Sequence, residues 1–302
     1  MIWLGDSRGF LSDWVTQRWV QTTGRRVTLA EHAWLDGPAG ATRRIGKEFF
    51  PDYAARNNLA VVESGCRGLI QDFDGLNGPS NNLSTVAEPI KDFYEHTSEY
   101  ELDSWSEWCA LFKPLGLALA ILFSRRLQQL NIPLSSLDSS AGMTSRVLQM
   151  RDRDSGRLIQ TAWVRELQAT HNVLYAGSYS ICTVPGCPSP CVKVVFPLPN
   201  GNAIVLMKPE AHPDGSFSVT SAGKAFGDPG FYFTLHENGG LAWARYVKSL
   251  KETIHVYAGA QPGTVRADHI LWIWGCKFLR LHYRMRLIAP PTHPPASLSE
   301  SP

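Results

Sequence analysis

"CVKVVFPLPNGNAIVLMKP", residues 191–209, is two alternating apolar runs separated by a Pro-Asn-Gly centre. Asn-Gly is the dipeptide a two-residue type I′ hairpin demands, because both central residues take positive φ. With Asn200-Gly201 as that turn, Phe196 lies opposite Val205 and Leu198 opposite Ala203. Pro197 has no N–H to give to a ladder, which marks a bulge or a free edge.

The two-residue period continues on both sides. "VLYAGSYSIC" (173–182) sets Val173, Tyr175, Tyr179 and Ile181 on one face. "PDGSFSV" (213–219) offers a turn at Asp214-Gly215, and "FYFTLHENGGLAWARYV" (231–247) another around Asn238-Gly239-Gly240. "TIHVY", "VRADHILWIW" and "KFLRLHYRMRL" complete the set. About nine strands with no helix-length gap between them predict an antiparallel meander, since parallel crossovers need a dozen or more residues. A meander of that length tends to curl and close, which predicts a lipocalin-like β-barrel over 146–288. Several strands are apolar on both faces, as expected if N-terminal helices cover the outside.

The fold class expected is therefore α+β. Residues 1–85 read as a mixed N-terminal segment, with a helix at "LSDWVTQRWV" and a short strand in "RRVTLAEHAWLDGP". Residues 86–145 read as a helical region. Pro89 suits a first helical turn, and Ile90, Phe93, Tyr94 and Thr97 share a stripe. Trp105, Trp108, Cys109 and Phe112 have helical spacing too, which turns the dense "KDFYEHTSEYELDSWSEWCALF" (91–112) into two amphipathic helices with solvated acids. The 114–130 stretch reads as a buried helix shorter than a membrane span requires. The tail 289–302 has a disordered composition.

Composition narrows the function. The chain has 302 residues, 44% hydrophobic and 19% charged, with a formal net charge of +2, so no global field argues for nucleic acid. Ten tryptophans and nine tyrosines suit a core or an apolar ligand cavity. "MIWLGDSRGF" lacks a secretory signal pattern, so a cytoplasmic location is the expectation. No phosphate loop, HExxH or dinucleotide fingerprint occurs, and no cofactor is expected. Cys182, Cys187 and Cys191 cluster in "CTVPGCPSPC", but zinc sites favour paired CxxC knuckles and four ligands, so no metal is expected.

A titratable group on an otherwise apolar strand face is costly unless it meets a partner or a ligand. Arg245 shares a face with Leu241, Trp243 and Val247; His269 shares one with Ala267, Leu271 and Ile273. These predict His269 as acid–base and Arg245 as anion stabiliser, with Tyr175, Tyr179, Trp243 and Leu271 binding the ligand. Lys193 faces away from Val192, Val194 and Phe196. Glu95-His96 are adjacent helical positions that do not face each other, which makes His96 a boundary residue.

The function these residues suggest is binding, or transformation, of an apolar small molecule such as a lipid or polyketide-like compound. An alternative is a peripheral membrane or protein-interaction module using the 114–130 helix and the last strand's basic stripe of Arg280, His282, Arg284 and Arg286. "GDSRG" (5–9) after a short apolar strand resembles the nucleophile block of the GDS-type serine hydrolases, which implies Ser7 as nucleophile. The resemblance covers five residues. The family's later Gly-x-Asn-Asp and Asp-x-x-His blocks are missing, and "RADHI" sets Asp268 beside His269 rather than three before it.

Overall fold

The 191–209 stretch is a hairpin at the centre of one large sheet. In the computed structural model, which describes residues 1–109, 112–119, 124–129, 142–168 and 170–288, Phe196 lies opposite Ala203 and Leu198 opposite Gly201. The ladder is two residues tighter than an Asn-Gly turn predicts. Its loop is Pro199-Asn200, with Asn200 at φ 60°. Proline first and a positive-φ Asn second is the residue order of a type II turn. A two-residue slip leaves every side chain on its expected face. Gly201 is required for a different reason: a Cβ there would lie 1.9 Å from the Thr234 carbonyl oxygen.

In chain order the strands are β1 (Arg25–Thr28), β2 (Leu59–Val62), β3 (Tyr100–Trp108), β4 (Met143–Asp152), β5 (Leu158–Leu167), β6 (Val173–Val184) and β7 (Cys187–Leu198). Then follow β8 (Gly201–Ala211), β9 (Phe217–Thr220), β10 (Gly230–His236), β11 (Leu241–Tyr246), β12 (Leu250–Ala258), β13 (Thr264–Ile273) and β14 (Cys276–Leu287). All 14 join one sheet, along the path β2-β4-β5-β6-β7-β8-β9-β12-β13-β14-β3. Every ladder is antiparallel, and consecutive strands from β4 to β9 are neighbours, as a meander requires.

The sheet is not a barrel. The path ends at β2 and β3, which do not pair with each other; β3 comes into contact with β4 without a ladder. The expectation of closure is overturned by that open path, and the architecture is a curled antiparallel sheet. One cause is a fork at β8. Residues 201–206 of its outer edge pair with β10, whereas 208–211 of the same edge pair with β9. β10, β11 and β1 therefore form a branch off the main path.

Strand β3 corrects a second expectation. Its aromatic residues have helical spacing, but its acids alternate, and each meets an arginine of β14. Glu101, Asp103 and Glu107 lie opposite Arg286, Arg284 and Arg280. The pairs measure 3.6, 2.6 and 3.7 Å. Charge of period two, matched across a ladder, outweighs an aromatic period of 3.6. The basic stripe of β14 and the acids of β3 are one feature.

Helices α1 (Leu11–Thr23) and α3 (Glu88–Glu95) stand where the apolar periodicity puts them; α2 (Phe49–Arg56) lies in the N-terminal segment where no helix is expected from sequence, and the short α4 (Lys113–Leu119) and α5 (Arg125–Leu127) follow. Residues 120–123 and 130 of the expected 114–130 helix, and the tail from 289, lie outside the described residues. The doubly apolar strands have cover on both sides. Val194, Val205 and Met207 belong to the core of the inner face. Val195, Ile204 and Leu206 pack outward against Trp34 and Leu35, and a third cluster seats Phe49 and Phe50 of α2.

Candidate functional site

The inner face curls around a cavity of about 540 Å³. Most of its wall is aliphatic and aromatic: Val194, Val205 and Met207 from β7 and β8, Phe231 from β10, Val256 from β12 and Leu281 from β14. Asp13, Thr16, Gln17 and Val20 of α1 cover part of it. The size lies within the range of about 300–1,000 Å³ usual for single small-molecule sites.

Into this apolar wall the strands project a small polar group. His269 of β13 bonds through Nε2 to Glu252 Oε2 of β12 at 2.9 Å, and its ring stacks on Tyr283 of β14 at 6.3 Å. Tyr175 and Tyr179 share the inner face of β6, and the Tyr175 hydroxyl donates to Tyr179 Oη at 2.6 Å. Gly177 between them leaves space that the Tyr175 ring fills; a Cβ there would come 2.9 Å from that ring. Burial pushes Tyr179 up to about 12 and raises Tyr175 and Tyr283 above the ordinary tyrosine value. All three are protonated hydrogen-bonding hydroxyls at neutral pH.

Arg165 of β5 stands directly across the ladder from Tyr175 and lines the same cavity. It is 5% exposed. Its guanidinium carbon sits 4.5 Å from the Trp163 ring, 4.6 Å from Tyr175 and 5.5 Å from Tyr283. Among the described residues its Nε and Nη1 have no hydrogen-bond partner and it forms no ion pair. The cavity's two acids among the described residues are engaged elsewhere, Glu252 by His269 and Asp13 by the Arg126 guanidinium.

Of the residues singled out from sequence, the fold brings His269, Leu271, Tyr175 and Tyr179 together on this cavity. Trp243 and Arg245 do not line it. Alternation puts them on the face shared with Phe233 and Leu235, which do line it, but the fork carries β11 one strand beyond the cavity wall. There Trp243 Nε1–H donates to Glu237 at 2.8 Å. Arg245 Nη1–H donates to the Thr23 carbonyl at 2.6 Å, under the end of α1. Arg165, which the sequence reading missed, follows the same rule that pointed to Arg245: in "TAWVREL" (161–167) it shares a face with Trp163 and Leu167.

The remaining candidates have structural partners. Lys193 points outward, and Nζ donates to the carbonyls of Ala33 and Asp36. Burial lowers its pKa. Cys182, Cys187 and Cys191 are free thiols. Burial lifts Cys182 to about 11 and Cys191 higher, and no cluster able to hold a metal occurs among the described residues. Ser7 is exposed in a tight turn closed by Gly9 N–H to Gly5 O at 2.8 Å; no histidine bonds to it among the described residues. His96 caps the end of α3, and Asp92 bonds to its Nδ1 at 2.6 Å.

No helix among the described residues is long and apolar enough to cross a membrane. No family model and no solved structure matches the chain. It is similar to an uncharacterized membrane protein YndJ of Bacillus subtilis (strain 168), 28% identical over 250 residues. That match covers 82% of this chain and 42% of the relative, so the chain spans less than half of that protein's length.

Proposed function

We propose that the chain binds an apolar small molecule, lipid-like or polyketide-like, in the cavity on the inner face of the sheet. The observation that carries this reading is the combination of an apolar wall with a few convergent buried polar groups, the usual anatomy of a ligand site. If the ligand is also transformed, the His269–Glu252 pair is the acid–base candidate. The place assigned to Arg245 as anion stabiliser passes to Arg165, which lines the cavity. The relative named as a membrane protein suits a lipid-derived ligand.

Direct membrane contact through the basic stripe is the weaker reading, because Arg280, Arg284 and Arg286 already have acids on β3. Cosedimentation with anionic vesicles should accordingly be weak.

An uncharged hydrophobic fluorophore should bind the protein and quench tryptophan emission, since Trp163 lines the cavity. Leu271→Trp fills part of the space and should weaken binding without unfolding the sheet; Ser7→Ala should leave it unchanged. Full binding by a folded Leu271→Trp variant would remove the cavity as the site.

A further inference from the structure

We propose that the ligand carries an ionised carboxylate and that Arg165 is its anchor. This deepens the reading above and rests on it. Three facts converge on one guanidinium. It is 5% exposed, it lines the cavity, and two of its nitrogens have no partner among the described residues. A buried cation without a counter-charge is costly, and three aromatic faces offset only part of the loss of hydration.

The neighbouring charges leave this position to the ligand. Glu252 Oε2 bonds to His269 Nε2, and Asp13 pairs with Arg126. Among the described residues, only Arg165 of the cavity's charged groups lacks such a partner. Its open Nε–H and Nη1–H offer charge-assisted hydrogen bonds to a ligand oxygen, and a carboxylate brings the single negative charge that one guanidinium balances. The rings of Trp163, Tyr175 and Tyr283 surround the guanidinium and hold it at the cavity wall. The apolar wall beyond then takes a single hydrocarbon chain or fused-ring body, making the ligand a long-chain or polycyclic carboxylic acid.

The test measures displacement of N-phenyl-1-naphthylamine from the full chain at pH 8 by hexadecanoic acid, its methyl ester and hexadecyl phosphate. The acid should bind about tenfold or more tightly than the ester, the usual scale for a charge-assisted hydrogen bond. Arg165→Gln should abolish that preference, so that acid and ester bind the variant equally. Arg165→Lys, which keeps the charge but loses the planar donors, should retain only part of it.

Equal binding of acid and ester by the wild-type protein would overturn the proposal while leaving the cavity reading intact, and that comparison needs no variant to fold. Tighter binding of the phosphate than of the acid would overturn the carboxylate assignment. Failure of the fluorophore and all three probes to bind would instead remove the cavity reading itself.

Discussion

Arg284 and Arg165 belong to the same sheet and are treated in opposite ways. Arg284 stands on β14 with Asp103 directly across the ladder at 2.6 Å, and Arg280 and Arg286 on the same strand have acids of their own. Arg165 has aromatic rings around it and no acid in contact among the described residues. The outer set satisfies its charge in sequence-encoded register and thereby aligns β3 on β14. The inner cation is desolvated and left open. A charge already answered by the fold is explained by the fold; a buried charge left unanswered points to something the chain binds.

The largest test of that contrast is alkaline pH, because the inner arginine is surrounded by buried tyrosine hydroxyls. Tyr94, Tyr175 and Tyr179 all line the cavity, and burial raises each above the ordinary value of 10.0. Unfolding releases them to ionise at that ordinary value. Stability from this source is therefore complete below pH 10 and falls as pH rises above it, by about 1 kcal/mol per tyrosine from pH 10 to 11. Lys193 acts in the opposite sense, since its lowered pKa adds stability as pH climbs toward 10.5, but it is a single group. Absorbance at 295 nm should show these tyrosines ionising together with loss of structure. Ionisation near pH 10 in the intact fold would mean that the cavity is wet and the contrast false.

Replacing the inner arginine should have the next largest effect. Arg165→Met keeps length and removes the buried charge. The ligand-free protein should gain stability by about 2 kcal/mol, as when buried charges give way to apolar groups of similar size. Thermal melts of the delipidated protein check this. A variant less stable than wild type would show that the guanidinium holds the core together, and that its open nitrogens are incidental.

Gly177 probes the geometry around that charge. In Gly177→Ala the new Cβ would press on the Tyr175 ring, which must tilt away from both Tyr179 and Arg165. A loss of about 1–2 kcal/mol, the usual scale of overpacking, should accompany weaker fluorophore binding. Unchanged binding would separate the tyrosine pair from the site.

Much of this was legible in the sequence, and the limits have physical causes. Period-two alternation carried the meander, the covered outer face and the position of His269 and Leu271, because facing depends only on parity. Parity also preserved the faces of the central hairpin when its register moved by two, once Pro199 rather than Gly201 entered the turn. Connectivity in space was harder. Arg165 in "TAWVREL" and Arg245 in "LAWARYV" look alike as charged residues on apolar faces, and only the fork at β8 sends one to the cavity and the other beneath α1. Strand β3 was hidden by its tryptophans. Its acids at 101, 103 and 107 repeat with the period of the arginines at 280, 284 and 286, and reading the two segments as a pair would have found it.

The smallest effect expected belongs to the outer arginines, and its smallness is the point. Arg284→Met removes a cation that is about two-fifths exposed and whose partner is equally so. Water and salt screen such a pair, and exposed ion pairs contribute roughly 0–1 kcal/mol. The variant should melt within a few degrees of wild type, and raising the ionic strength should shrink even that difference. Asp103→Asn should reproduce the loss, and the double variant should lose less than the two single changes summed, since each alone already breaks the pair. Ligand binding should be untouched in all three. A large drop in stability, or any change in the preference for carboxylates, would mean that the β3–β14 edge is coupled to the cavity. The division between answered and unanswered arginines would then have to be redrawn.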